Sequence, residues 1–508
     1  MTGEKTQTQL RILGNLKLVR EKIDSRLPQL NFVTTTTTMA EPSSSKAQSQ
    51  LTPTQLRNAR KRRAKKAKQK TGIANAKDPS LQYIACPTQT PILQAARQFF
   101  AKHRVPFTIY DNNKSHKGWR TMCKLAVVPS NNSKKKWTLG LFAPHTHTVV
   151  PGTDQSVAHH PALNQAVRRI LECDCCPPAY TPDTNSGVRY LLLSLERSTQ
   201  RVQLTLVVSS SSRNSDSSIQ TFIDTLVIPS KVQWHSIWVH GNEQDRHCNA
   251  IVDVHGTWEC RYHPATKPLP LCEYLGGNND TLPRIPLYFP PNVFRQANLD
   301  GFRYVVKKIH TVLAERKRRE DLSFRTLLEL YGGVGTIGLH VTDLFTEEYI
   351  CSDANPYNPA CFERSVDSNQ YTNHCRCTYV PHNAHDMVPE YLSWGVNNNK
   401  KNADVIIVDP PRKGLEPTVA AALANGCCCA HTLVYVSCGF AAFERDCAVL
   451  IEQGVWVLDQ AEGHVLFPGS DAIETLAIFR NKNNMPSKRE RTMTEQATNK
   501  KRRRRGRR

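Results

Sequence analysis

From Pro291 onward the chain alternates short apolar, β-branched runs with stretches of helical spacing. Thr326–Tyr331, Glu348–Cys351, Arg376–Val380, Val405–Val408, Leu433–Ser437, Val455–Leu458 and Thr475–Phe479 read as strands, and Gly301–Arg316 as a helix. Val405–Val408 and Leu433–Val436 are apolar throughout rather than alternating, the pattern of strands covered on both faces. Strands separated by helices in this way predict a doubly wound α/β sheet. Upstream, from about Leu81 to Pro291, the rhythm is mixed. Thr121–Val128, Trp137–Phe142, Arg189–Leu195, Val202–Val208, Ser236–Val239 and Thr257–Tyr262 read as strands, Pro91–His103 and Pro161–Cys173 as helices. Polar clusters such as Ser209–Ser218 separate them, and the whole reads as an α+β region. Outside these blocks the periodicity fades. The division predicted is 1–78, 81–291, 292–482 and 483–508, the first and last segments being disordered.

Charge sharpens that division. The formal net charge is +23, and two short runs carry most of it. Arg57–Lys70 holds 9 basic residues and no acid, while Lys488–Arg508 holds 11 against Glu490 and Glu495; together they account for 18 of the 23 charges. Blocks of like charge repel and act as solvated arms, import signals or polyanion-binding tails. Low-complexity runs at Thr34–Thr38 and Ser43–Ser45 also predict disorder, with at most a transient helix at Leu10–Ile23. Nucleic acid is the partner class this distribution favours.

Length and cysteine usage narrow the classes further. The 508 residues suffice for two or three domains. No apolar run approaches the 18 or so residues of a membrane span, and no charged-then-apolar leader opens the chain. The 17 cysteines are irregularly spaced, with Cys173, Cys175 and Cys176 together and Cys427–Cys429 together. In a large basic protein this predicts reduced thiols inside a cell. Cys173-x-Cys175-Cys176 lacks a second pair at zinc-ribbon spacing, and no Cys-x5-Cys-x2-Cys run exists, so no metal is expected.

Three turns carry candidate chemistry. The strand Thr326–Tyr331 runs directly into Gly332-Gly333-Val334-Gly335-Thr336-Ile337-Gly338, and the residues beyond open a helix. Glycines there let backbone N–H groups approach a ligand closely. About twenty residues on, the next strand ends at Asp353, where a carboxylate accepts both hydroxyls of a ribose. Strand, glycine turn, helix and acid together indicate an adenosine-bearing cofactor, either a dinucleotide or S-adenosylmethionine. The second turn is Asp409-Pro-Pro-Arg412-Lys413-Gly414 and the third Ser437-Cys438-Gly439, each at the carboxyl end of a buried strand. A free cysteine is more often a small core residue than a nucleophile. Its position at the sheet edge, where reacting groups collect, argues otherwise.

The later turns decide between the cofactors. Hydride transfer has no use for Asp-Pro-Pro-Arg followed by Ser-Cys-Gly. Methylation of carbon 5 of a pyrimidine does, because that carbon is too weakly nucleophilic alone. A thiolate must first add to carbon 6, and a base must later remove the carbon 5 proton so that the enzyme is released. The chemistry needs one cysteine, one carboxylate and one methyl donor around an extruded base. Cys438, Glu474 and the glycine turn supply those groups.

Phe294–Arg480 resembles the RNA uracil-5-methyltransferases, the family that makes 5-methyluridine. The motifs are Phe294-Arg-Gln296-Ala-Asn298, Glu329-Leu-Tyr331-Gly-Gly-Val-Gly-Thr336, Asp353, Asp409-Pro-Pro-Arg-Lys-Gly, Ser437-Cys438-Gly439, and Phe467-Pro468 ahead of Glu474. Weaker similarity through Trp119–Val127 and Leu139–Pro161 extends it to about four-fifths of the chain. The resemblance implies a Rossmann-like domain dependent on S-adenosyl-L-methionine, preceded by the α+β domain. It implies Cys438 as nucleophile and Glu474 as general base, with Gln296, Tyr331, Thr336, Asp353, Asn383 and Asp409 around the cofactor. The chain departs from many members in having no clear N-terminal oligonucleotide-binding barrel and no iron–sulfur cysteines, so the basic tails stand in as RNA contacts.

Two rival readings remain at this level. A cytosine-5 RNA methyltransferase would carry a second cysteine in the turn after the fourth strand, where this chain has Asp-Pro-Pro-Arg. A non-catalytic RNA-binding protein on the same fold would lack the nucleophile or the base, and both are present. The expected partner is RNA, tRNA ahead of ribosomal RNA, with no membrane and a monomeric chain favoured. Nucleus, nucleolus or cytoplasm is favoured as the compartment, with an organelle the alternative.

Overall fold

The computed structural model describes residues 78–484, apart from 114, 131–135, 144–145, 147, 182, 184, 210–215, 243–250, 254, 277–280, 369–373, 393–402, 426–429 and 453. Both basic runs, the threonine and serine tracts and Cys427–Cys429 lie outside the described residues. Among the described residues, no helix is long and apolar enough to cross a membrane.

The first helix, α1 (Pro91–Lys102), starts on a proline, whose missing N–H costs nothing in a first turn. It buries Leu93, Ala96 and Phe100 on one face. Strand β1 (Phe107–Tyr110) follows, Phe107 stacking on Phe100 at 4.4 Å. The central domain comes next, with β2 (Met122–Pro129), β3 (Trp137–Phe142), β4 (Val149–Val150), α2 (Pro161–Leu171), β5 (Val188–Leu195), β6 (Val202–Ser209), α3 (Asp216–Val227), β7 (Trp234–Asn242) and β8 (Thr257–Tyr262). Its strands form one sheet in the order β4-β3-β2-β5-β6-β7-β8. Only β6 and β7 run parallel, joined by the crossover through α3. Both helices cover the same sheet face, where Leu163, Val167 and Ile170 of α2 meet Phe222, Ile223 and Leu226 of α3 over Leu125, Leu193 and Leu204.

A hairpin of β9 (Leu271–Tyr274) and β10 (Pro286–Phe289) leads into the second domain. There α4 (Leu299–Arg319), β11 (Thr326–Leu330), β12 (Glu348–Ser352), α5 (Asn358–Asp367), β13 (Arg376–Val380), β14 (Val405–Val408), α6 (Pro417–Ala424), β15 (Thr432–Ser437), α7 (Phe440–Glu452), β16 (Trp456–His464) and β17 (Glu474–Asn481) alternate as the pattern predicted. The sheet order is β1-β16-β17-β15-β14-β11-β12-β13. All neighbours are parallel except those of β17, which runs against both β15 and β16.

Alternate residues of the central strands feed two cores. Leu327, Val405, Ile407, Val434 and Val436 pack beneath α4, while Leu328, Ile406, Val408, Leu433 and Tyr435 pack beneath α1, α6 and α7. That double coverage is why these strands are apolar throughout. The border drawn at 291 grouped Pro91–Tyr110 with the central domain; α1 and β1 instead complete the eight-stranded sheet, β1 pairing with β16 from Phe107↔Ala461 to Tyr110↔His464.

Candidate active site

The strand order reverses at β11, which has β12 on one side and β14 on the other. A crevice opens at such a point beyond the strands' carboxyl ends. The chain leaves β11 through Tyr331, which holds a left-handed φ of 58°. A non-glycine residue in that region carries strain of the kind that collects at functional turns. Gly333 continues at φ 56°, and a side chain there would meet nothing within 4 Å, so the turn faces open space. Asp353, at the end of β12, braces it from below: one carboxylate oxygen accepts the Gly333 N–H at 3.1 Å and the other the Asn355 N–H at 2.9 Å. The Tyr379 hydroxyl donates to the Gly333 carbonyl at 2.9 Å.

The segment after the turn opens a helix, as expected, and that helix is of 3₁₀ form, Gly338–Leu344. Its first N–H, from Gly338, donates at 3.1 Å to the buried carboxyl of Glu329, which also accepts the Tyr349 hydroxyl. Burial pushes the Glu329 carboxyl up to about 8. The sequence reading gave Glu329 no role; its signal is an acid inside an otherwise apolar strand.

A small cavity of about 40 Å³ lies over the turn, lined by Phe294, Gln296, Glu329, Tyr331, Thr336 and Asp409 among others. Four of the six residues expected at the cofactor therefore share one wall. Asp353 holds the turn itself. Asn383 stands apart: it is exposed on the loop after β13, its amide donating to Asp386 at 3.4 Å, and it does not line the cavity. The open turn, the carboxylate beneath it and the half-buried Asp409 fit an adenosine-bearing methyl donor.

The thiol and the acid come from neighbouring strands. In the β15–β17 ladder Ser437 pairs with Thr475, and one step beyond the ladder's end that register brings Cys438 beside Glu474, whose charge acts on the thiol. Because β17 runs backwards, it starts at the edge where the parallel strands end. Glu474 is 1% exposed, and its Oε1 has no hydrogen-bond partner among the described residues. Burial, then the nearby Asp409, hold this carboxyl well above the usual range, with the Arg412 guanidinium opposing. Asp409 is itself pushed up to about 7 by burial and Asp353.

Cys438 is partly exposed. Burial pushes its thiol up to about 11, Glu474 and Asp409 add to the rise, and Arg412 pulls the other way. The thiol also precedes the first turn of α7, where the helix dipole favours a thiolate. Gly439 lets the two turns touch: a Cβ there would lie 2.4 Å from the Arg412 carbonyl oxygen. The loop is fixed further along, where Asp446 accepts the Leu415 N–H and the Tyr435 hydroxyl, each at 2.7 Å. From the central domain, Arg120 stacks 4.8 Å from the Trp119 ring centroid and 6.0 Å from that of Phe467, on the loop leading to Glu474. Among the described residues, no cluster of three or more histidine, cysteine or acidic side chains could hold a metal ion.

Sheet order, glycine turn and carboxyl-edge residues together define a Rossmann-like methyltransferase domain of the S-adenosylmethionine-dependent fold class. The comparisons agree. The chain is 28% identical over 417 residues to an uncharacterized RNA methyltransferase of Protochlamydia amoebophila, covering 79% of this chain and 98% of that one. It is 34% identical over 158 residues to an uncharacterized RNA methyltransferase of Lactococcus lactis, 31% of each chain. It superposes on the Pyrococcus abyssi tRNA (uracil-54, C5)-methyltransferase in complex with S-adenosyl-L-homocysteine with a TM-score of 0.51, 18% identity, and 75% and 81% of the two chains, a likeness of fold. No family model matches the chain. The resemblance to the RNA methyltransferases read from the motifs is thus borne out.

Proposed function

We infer that the chain transfers a methyl group from S-adenosyl-L-methionine to carbon 5 of a uridine in RNA, with Cys438 as nucleophile and Glu474 as base. The observation that supports this most is the β15–β17 register, which ends at Ser437 and Thr475 and so brings their neighbours Cys438 and Glu474 close together. When bound, the cofactor supplies an electrophilic methyl group. Gln296, Tyr331, Thr336 and Asp409 would hold it against the turn, and Asp353 would fix the turn's backbone. Asn383, off the cavity wall, is kept as a cofactor contact only on the resemblance.

In this reading the Cys438 thiolate bonds to carbon 6 of the extruded uracil and pushes electron density onto carbon 5. Arg412 and the start of α7 favour the thiolate; burial and the two carboxyls oppose it, so the free protein keeps the thiol protonated at neutral pH. Once carbon 5 carries the new methyl, Glu474 takes its remaining proton. The double bond re-forms and the sulfur leaves carbon 6. A buried carboxylate with no hydrogen-bond partner on one oxygen is a stronger base than a solvated one, as that step requires.

The RNA is tRNA on this reading, as in the name of the Pyrococcus protein, with ribosomal RNA the alternative; the basic runs supply sequence-independent phosphate affinity. Nucleoside mass spectrometry of RNA fractions from a knockout and its parent tests the proposal. Loss of 5-methyluridine from one fraction is the expected result. An unchanged 5-methyluridine content, with 5-methylcytidine lost instead, would refute it.

A further inference from the structure

The central sheet has a second face. α2 and α3 cover one side; on the other, residues from three neighbouring strands form a polar platform. Lys124 pairs with Leu192, Leu192 with Thr205, and Ser194 with Gln203, so their side chains share that face. The outer face of such a sheet normally meets water. Here the segment 289–295 roofs it, making a cleft of about 240 Å³. That is close to the lower end of small-ligand sites, roughly 300 Å³.

Three features of the cleft call for a ligand. No carboxylate lines it, and among the described residues Lys124 has no acidic partner. The Oδ1 of Asn292, on the roof, is buried without a hydrogen-bond partner among the described residues, which is costly unless something donates to it. Phe294 is 63% exposed and lines both this cleft and the cavity over the glycine turn. A cation, an unmet acceptor and an open aromatic ring match a phosphate, a base amino or imino group, and a base face.

The geometry points to a second nucleotide subsite: this cleft takes a nucleotide of the same RNA strand, near the one that enters between Cys438 and Glu474. Its phosphate lies on Lys124, and its base is stacked on Phe294 with an N–H donated to Asn292. The site rests on the RNA methyltransferase reading and deepens it, because it gives the central domain a share in substrate choice. Bases that carry an N–H edge toward Asn292 are preferred there.

The test uses the full-length chain, RNA from cells lacking it, and a labelled methyl donor. Lys124→Ala is expected to raise KM for RNA about tenfold, leave kcat within about twofold and leave S-adenosylhomocysteine affinity unchanged. It should also reduce the slope of log affinity against log salt by about 0.7–0.9, the loss of one phosphate contact. Lys124→Arg should restore both, and Asn292→Ala should raise KM without touching the salt slope. Unchanged KM and slope in Lys124→Ala would overturn the subsite, and so would a matching loss of S-adenosylhomocysteine affinity. If the wild-type chain methylates none of this RNA, the catalytic reading fails separately. Filter binding of the same RNA then decides the subsite alone: equal affinity of wild type and Lys124→Ala overturns it, weaker binding with a smaller slope supports it.

Discussion

Glu329 gives the sharpest physical prediction. It is 1% exposed in the middle of the sheet, and burial pushes its carboxyl from an ordinary 4.5 up to about 8. The folded protein therefore binds this proton more tightly than the unfolded chain does. Stability from the protonated group is fully present below about pH 4.5 and is lost as pH rises toward 8. Each unit is worth about 1.4 kcal/mol, so between pH 5 and pH 8 the wild type should lose up to about 4 kcal/mol through this residue. Glu329→Gln keeps the acceptor for the Gly338 N–H and the Tyr349 hydroxyl but has no proton to lose. Urea unfolding of both proteins across pH 5–9 should show two curves diverging with pH, the wild type falling faster. The Asp409 charge adds to the rise at Glu329, so the difference reads Glu329 together with its coupling to Asp409. Parallel curves would refute the claim that a neutral carboxyl braces the glycine turn.

Other outcomes follow from the same geometry. Cys438→Ala should abolish methyl transfer while S-adenosylhomocysteine titration stays within about twofold of wild type. Glu474→Gln should instead accumulate a covalent protein–RNA species that survives denaturing gels, because a missing base stalls elimination by about 10²–10⁴-fold. With the Cys438 thiol near 11, on the order of one molecule in a few thousand is ionised at pH 7.5. Iodoacetamide labelling of the Cys438 peptide, followed by mass spectrometry, should rise about tenfold per pH unit up to pH 10; a plateau below pH 9 would contradict this. Gly439→Ala must move the Arg412 carbonyl, and should cost about 1–3 kcal/mol of stability with a fall in kcat.

Much of the catalytic domain is legible in the chain because its strands are buried on both faces, and a continuous apolar run such as Val405–Val408 reads unambiguously. The glycine turn, Asp353 and the two later turns follow from that framework. The opposition of Cys438 and Glu474 was read from the chemistry and the resemblance, not from pattern. Strand direction leaves no periodic trace, so the reversal of β17 that brings Glu474 near Cys438 is visible only in the register. Glu329 was overlooked because a single acid among four apolar neighbours looks like noise until its two donors are seen. The placement of β1 was missed for a related reason: its partner lies far along the chain, and local sequence carries no record of a long-range pairing. Asn383 had only the resemblance behind it, and its exposed position leaves it so.

The far edge of the large sheet is closed by β1, a strand supplied from the chain's upstream side. A fragment begun at 292 would keep every motif yet bare the whole backbone rim of β16, along with the apolar surface that α1 shields. Such a rim is a template for pairing with other copies. The catalytic half is therefore not an autonomous module that could be lifted out or swapped between proteins. Its ends are sewn together around the central domain, so the two halves stand or fall as one.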